Sequence, residues 1–325
     1  MAEDMEGGGV ADRAEHAPSD LASLEQKIRE LAKPRPIYTP KSVRKIHHLH
    51  YDWTGWLSDA SPFPTTTEEA IRACREGWEK DGVTLTEFRV HNDRTQILFD
   101  ARPEISPVTF TARVKGRLQH ALRQAGTPVR FSRKISFRSM GENIDRTVEG
   151  YLRRQVRKEG FVDPRYEARI DAFTIQNDAV ELSQPVATKS GRYWYGLHLV
   201  VVMASRRRVI DLKLMAKMRD TCLAIGRKKE CGIKAVSVMP DHVHVALKGN
   251  IALSPEEIAM GFLNNLAFVM GRNRVWKDEY YVGTFSEYGM ATIRDLFDRL
   301  GIKGSSPPAG KPCLLYTKVI VHLPL

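Results

Sequence analysis

The chain has 325 residues, 42% of them hydrophobic and 27% charged, an ordinary balance for a globular protein of one large or two medium domains. No apolar run reaches the ~18 residues a membrane helix needs, the start of the chain lacks the basic and apolar regions of a secretory signal, and Cys74, Cys222, Cys231 and Cys313 form no CxxC pair of the kind that holds zinc. The net charge of +11 is uneven: residues 1–33 hold eight acids and four bases, so the remainder carries about +15, which points to a polyanionic partner, most simply nucleic acid, in a reducing cytoplasm.

Residues 1–20 read as an acidic disordered tail. Asp20 can cap a short helix to about Lys33, and "KPRPIYTPK" is a basic linker interrupted by prolines. "TTTEEAIRACREGWEKDG" reads as a helix, with Thr66 and Glu69 in capping-box spacing. "VTLTEFRV" and "TQILFDA" read as strands around a polar turn. "SPVTFTARVKGRLQHALRQAG" is a basic amphipathic helix, and "NIDRTVEGYLRRQVRKEG" is another, stopped at Gly160. A hairpin-like "FTIQNDAVEL" follows. "GLHLVVVMA" is a strand, the run from Arg208 to Glu230 a long helix, and "IKAVSVM" and "HVHVALKG" are strands. "SPEEIAMGFLNNLAFVMGR" is a helix with Ser254 and Glu257 in capping-box spacing, and "MATIRDLFDRLG" is the last.

This order repeats itself. "LHYDW" from Leu49 aligns with "LHLVV" from Leu197, "FRVHNDRTQILF" from Phe88 with "VSVMPDHVHVAL" from Val236, and Ser106 with Ser254, always at an offset of 148; Phe137 aligns with Val282 at 145. Five segments follow: a tail, short helix and linker over 1–43, a first copy over 44–157, a connector over 158–189, a second copy over 190–303 and a tail over 304–325.

Two copies allow their residues to be compared. His242 and His244 alternate on one strand, so both imidazoles face the same way, about 7 Å apart along the chain, as two ligands of a divalent metal would. The first copy has Arg94 and Gln96 there. It has instead Tyr151 and Gln155, one helical turn apart, where the second copy has Leu296 and Leu300. A phenol can attack phosphorus, and an amide oxygen can complete a metal site. Taken singly, these are ordinary residues of a sheet and an amphipathic helix. Their losses are complementary, which follows if one working site is shared between the copies.

The segments "YGLHLVVVMASRRRVI", "VMPDHVHVAL" and "VWKDEYYVGTFSEYGMATIRDLF" of the second copy resemble the single-tyrosine HUH transposases of the insertion-sequence and REP-associated group. "ARVKGRLQHALR" and "SMGENIDRTVEGYLRRQ" of the first copy resemble the same family more weakly. The resemblance implies an α+β fold of two ferredoxin-like antiparallel-sheet sandwiches, each with helices on one face, joined as an intramolecular pseudo-dimer. It implies Tyr151 as nucleophile and His242, His244 and Gln155 as ligands of Mg²⁺ or Mn²⁺. The activity implied is a single-stranded DNA nickase and strand-transferase working through a 5′-phosphotyrosine link. The partner would be single-stranded or hairpin DNA, met by Arg113, Lys115, Arg117, Arg153, Arg154, Arg206, Arg207 and Arg208, in a nucleoid-associated protein that works as a monomeric pseudo-dimer or as a chain that pairs again. Trp276, Tyr280 and Tyr281 are candidates for stacking on bases. With one site per chain, a domesticated transposase fits better than an autonomous one, and a non-catalytic DNA- or RNA-binding regulator is the alternative.

Overall fold

The structure is a computed structural model that describes residues 36–59, 61–141, 150, 164–271 and 274–286. In chain order these give β1 (Arg44–His48), β2 (His50–Leu57), α1 (Glu68–Lys80), β3 (Val83–Val90), β4 (Arg94–Ala101), α2 (Pro107–Gln124) and β5 (Phe131–Met140). Next come α3 (Pro164–Asp171), β6 (Thr174–Gln176), β7 (Val186–Thr188) and β8 (Gly191–Trp194). The remainder is β9 (Gly196–Val202), α4 (Leu212–Lys228), β10 (Gly232–Val238), β11 (His242–Lys248), α5 (Pro255–Val269) and β12 (Glu279–Thr284). Two six-stranded sheets result, ordered β3-β4-β2-β5-β8-β7 and β6-β10-β11-β9-β12-β1. Strands β2–β5 of the first sheet and β9–β12 of the second each follow one βαββαβ path, so the architecture is α+β with two ferredoxin-like sandwiches.

Local chemistry sets the helix starts. The Ser254 hydroxyl accepts from Glu257 N while the Glu257 carboxylate accepts from Ser254 N, the reciprocal box read from the sequence. The cap of α1 is Thr67, one residue later than expected; the Thr66 hydroxyl instead donates to Pro64 O. Helix α4 begins at Leu212 and not at Arg208, because the Asp211 carboxylate accepts from Lys213 N and Leu214 N.

Each sheet buries one face under its own pair of long helices. In the first, Trp78 of α1 and Phe110 of α2 meet Phe99, Tyr51 and Phe137 in edge-on and tilted ring contacts at 4.8–5.5 Å. In the second, Leu197, Leu199 and Val201 of β9 and Val243, Val245 and Leu247 of β11 are buried with Phe262, Leu263 and Leu266 of α5.

The sheets are mixed rather than antiparallel throughout. β1 runs parallel to β12 in the second sheet, and β8 runs parallel to β5 in the first. Each is the start of a long extended stretch that leaves one sheet and continues in the other: β1 into β2 across Leu49, β8 into β9 across Tyr195. The crossings are built alike. Leu49 O accepts from Ala101 N at 3.0 Å, and Tyr195 O accepts from Gly249 N at 2.8 Å. One residue later, His50 N donates to the Thr284 hydroxyl at 2.9 Å, and Gly196 N donates to the Ser139 hydroxyl at 3.0 Å. The helix starts reciprocate too: Val108 N donates to Ile251 O at 3.2 Å and Glu256 N to Pro103 O at 2.8 Å. The same contacts thus recur with the two halves exchanged. The expected connector hairpin does not form: β6 pairs with β10 of the second sheet, and β7 and β8 extend the first.

Candidate metal and nucleic-acid site

Period-two alternation along β11 puts His242 and His244 on the face opposite Val243, Val245 and Leu247. Helix α4 lies on the valine side: a Cβ at Gly226 would collide with Ile233, which stands opposite Leu247. The histidines therefore occupy the face away from the long helices. His244 is opposite Val200, Val200 opposite Tyr281, and Tyr281 opposite Ile46. This row crosses four strands and ends on β1, from the other half of the chain. Tyr281 lies across Gly283, where a Cβ would strike its hydroxyl, and leans between the rings of His48 at 5.8 Å and His198 at 6.0 Å.

Both histidines are buried and each has its Nδ1 engaged. His242 Nδ1 is 2.6 Å from Asp241 Oδ1, and Arg206 Nε is 2.9 Å from the other oxygen, Asp241 Oδ2. Burial would raise the Asp241 carboxyl; the hydrogen bond and charge of His242, with Arg206 and Arg208, outweigh it and hold it below its ordinary value. Asp241 is thus an acceptor, and His242 Nδ1–H donates to it. His244 Nδ1 is 3.1 Å from His198 Nε2, with the two rings stacked. Burial pushes His198 down to about 4, so it is neutral at pH 7. A proton on His244 Nδ1 donated to His198 Nε2 leaves His244 Nε2 as a lone pair. The pattern is that of metal-ligating imidazoles, whose second nitrogen is held by a carboxylate or another acceptor. The "MPD" turn aims the strand: Met239 N donates to His242 O at 2.9 Å, and Met203 N to Asp241 O at 2.8 Å.

Tyr151, Gln155, Arg153 and Arg154 lie outside the described residues, as do Leu296 and Leu300. Among the described residues no group of three or more His, Cys, Asp or Glu side chains is placed to hold a metal. Arg206 joins the histidine pair through Asp241; Arg207 and Arg208 are exposed on the same turn. Arg113, Lys115 and Arg117 lie on α2 of the first sandwich, bound to Asp81 O, Ser132 O and the Asp81 carboxylate respectively. Of the aromatic candidates, Trp276 and Tyr280 are core residues, and Tyr281 alone of the three is on the histidine face and partly exposed. Sequence spacing does not give the partnership of His198 with His244, which is set by the register of β9 against β11, whereas Asp241 is the chain neighbour of His242.

The first sheet shows what occupies the same positions without histidines. Gln96 is opposite Thr54 as His244 is opposite Val200, and Asp52 precedes Thr54 by two residues as His198 precedes Val200. Val200 follows Thr54 by 146 residues and His244 follows Gln96 by 148, so the offset of 148 read for "LHYDW" is two too long. Gln96 Nε2 donates to Asp52 Oδ2 at 2.7 Å, a polar pair in the place of His244 and His198. Burial pushes the Asp52 carboxyl up to about 6, against the pull of Gln96, Arg138 and Thr54. Arg138, opposite Asp52, stacks on Trp194 at 4.1 Å.

Residues 192–295 match the family model described as transposase IS200 like. The second sandwich is similar to the IS200-like transposases. A candidate transposase from Deinococcus radiodurans R1, known from a crystal structure, shares 21% identity over 32% of this chain and 88% of its own, with a TM-score of 0.24. A bacterial light-regulated adenylyl cyclase shares 10% identity over 69% of this chain and 66% of its own, with a TM-score of 0.17. Superpositions that loose add nothing on fold. No curated protein matches the chain. Among the described residues no helix is long and apolar enough to cross a membrane.

Proposed function

We propose that the protein is a metal-dependent nickase and strand-transferase for single-stranded or hairpin DNA, acting through a 5′-phosphotyrosine link at one site shared between its two halves. The observation that supports this reading is the histidine pair itself: two buried imidazoles on one face of β11, each with its Nδ1 held by a neighbouring side chain in the way metal-ligating imidazoles are held. Gln155 is the proposed third donor. An imidazole-rich set suits Mn²⁺ at least as well as Mg²⁺, and such an ion supplies charge neutralisation at the scissile phosphate.

The chain's own residues do the rest. Asp241 and His198 hold the two imidazoles in tautomer and orientation. Tyr151 Oη attacks phosphorus; an O–P bond forms, the P–O3′ bond breaks, and the leaving oxygen takes a proton to become a 3′-OH. The phenolic proton passes to solvent. A later 3′-OH reverses the exchange without ATP, because the link conserves the bond. Arg206, Arg207 and Arg208 beside the histidines, and Arg153 and Arg154 beside Tyr151, neutralise strand phosphates, with Arg113, Lys115 and Arg117 farther along the path. In this reading the chain is a fused tandem, 44–157 and 190–303, and a domesticated enzyme with one live site.

The test is an SDS-resistant adduct between the protein and 3′-labelled, hairpin-flanked single strands in Mn²⁺. The parent forms it and Tyr151→Phe does not. A parent protein that binds such strands and never forms the adduct would be the non-catalytic regulator instead.

A further inference from the structure

A cavity of about 430 Å³ opens on the histidine face one strand from His242. Val202, directly opposite His242, lines it, and so does Ile46 of β1, so its floor is apolar and comes from both halves of the chain. Arg44, Arg206 and Lys277 ring it with cations, and the carboxylates of Asp278 and Glu279 stand among them. Arg44 ion-pairs with Glu279, and Lys277 lies 3.5 Å from the same carboxylate.

One wall is strained. Ser205 and Arg206 have φ of 53° and 52°, two successive non-glycine residues in the left-handed region. Such backbone persists where surrounding structure enforces it, and it clusters at functional sites. Here it turns Arg206 toward Asp241, the residue that holds His242, so the cavity wall and the histidine site share one ion pair. The first sheet lacks this shape: Trp56 is opposite Arg94, where the second sheet has Val202 opposite His242.

We infer that this cavity binds one nucleotide of a single DNA strand, next to the phosphate facing the histidine pair, and that β1 of the first half helps to read its base. The inference rests on the DNA reading above and adds a subsite to it. The volume falls in the range of small-ligand sites and admits a nucleoside, not a duplex. Ile46 and Val202 offer a surface for the face of a base. Arg44 and Lys277 suit the flanking phosphates. Carboxylates only accept hydrogen bonds, so Asp278 and Glu279 favour bases that carry an exocyclic amine over thymine, whose single N3–H donor is flanked by two carbonyl oxygens that repel a carboxylate.

The experiment uses the full chain as Tyr151→Phe in EDTA, so that neither cleavage nor metal enters. Binding of 5′-fluorescein dC12, dA12 and dT12 is read by anisotropy at two salt concentrations. dC12 and dA12 bind several-fold tighter than dT12. Ile46→Trp, which fills the floor, weakens binding roughly tenfold and erases the preference. Arg44→Ala weakens it and lowers the salt slope by about one, and it serves if Ile46→Trp fails to fold by thermal denaturation. Arg75→Ala, on the exposed side of α1, leaves the preference in place. Equal affinity for all three strands, untouched by Ile46→Trp and Arg44→Ala, overturns the subsite and leaves the nickase standing. A protein that binds no single strand at all overturns both.

Discussion

At one pair of register positions the second sheet holds His198 and His244, and the first holds Asp52 and Gln96. Both pairs are hydrogen-bonded across neighbouring strands, on the face away from the long helices. The backbone around them is built alike, down to the hydroxyls that cap the two crossing strands. The chemistry differs completely: one pair is two stacked imidazoles, and the other is a carboxylate that accepts from an amide. A homodimer carries every substitution twice, whereas two halves in one chain can differ. The asymmetry extends to the cavity, where Val202 leaves space and Trp56 brings a ring.

Substitutions at matched positions test that contrast. The largest effect is expected at the ligands: His242→Ala or His244→Ala lowers adduct yield by about a thousandfold, while Arg94→Ala and Gln96→Ala leave it within about threefold. Comparable losses on both sheets would mean the first sheet is also a working site. Next is His198, a positioning residue. His198→Ala raises the Mn²⁺ concentration for half-maximal adduct formation by about 10–100-fold, and His198→Gln, whose amide oxygen can still accept from His244 Nδ1–H, recovers part of it. A loss of yield at saturating Mn²⁺ with no change in the half-maximal concentration would contradict that role.

Asp52 gives a stability effect of definite sign. Its carboxyl is pushed from 3.8 to about 6 by burial, so the folded state holds the proton more tightly than the unfolded one. Its contribution is most favourable below about pH 4 and declines as pH rises to 6, by on the order of 2–3 kcal/mol. Asp52→Asn flattens that slope in thermal melts between pH 4 and 7; an unchanged slope would place the titration elsewhere. Smallest are the crossings. Ser139→Ala and Thr284→Ala each leave a strand N–H without its acceptor and cost about 1–2 kcal/mol. Equal costs within about 0.5 kcal/mol, by urea denaturation, are what two equivalent crossings require.

Much of this fold was legible because its signals are local. β9 and β11 are dense in valine and leucine, and Ser254 with Glu257 forms its box within four residues. β1 and β8 were missed because each pairs with a strand from the far half, and nothing in "RKIHH" or "GRYW" points there. β5 hid behind "FSRKISFRSM", where Arg133, Lys134 and Arg138 leave only short apolar stretches around the buried Ile135 and Phe137. At the candidate site, the HxH spacing gave the shared face of the two imidazoles, since period two puts both on one side of the strand. The His198 partnership stayed hidden because it depends on register between two strands 46 residues apart.

The central claim is that the phenol of the first half works with the imidazoles of the second. A specific protease sequence inserted at the exposed Asp178 turn allows the halves to be separated after reaction with a 3′-labelled strand. The account predicts label on the N-terminal fragment only, lost in Tyr151→Phe and lost equally when His242→Ala is placed in the C-terminal fragment. Label on the C-terminal fragment, or label that survives His242→Ala, would contradict it.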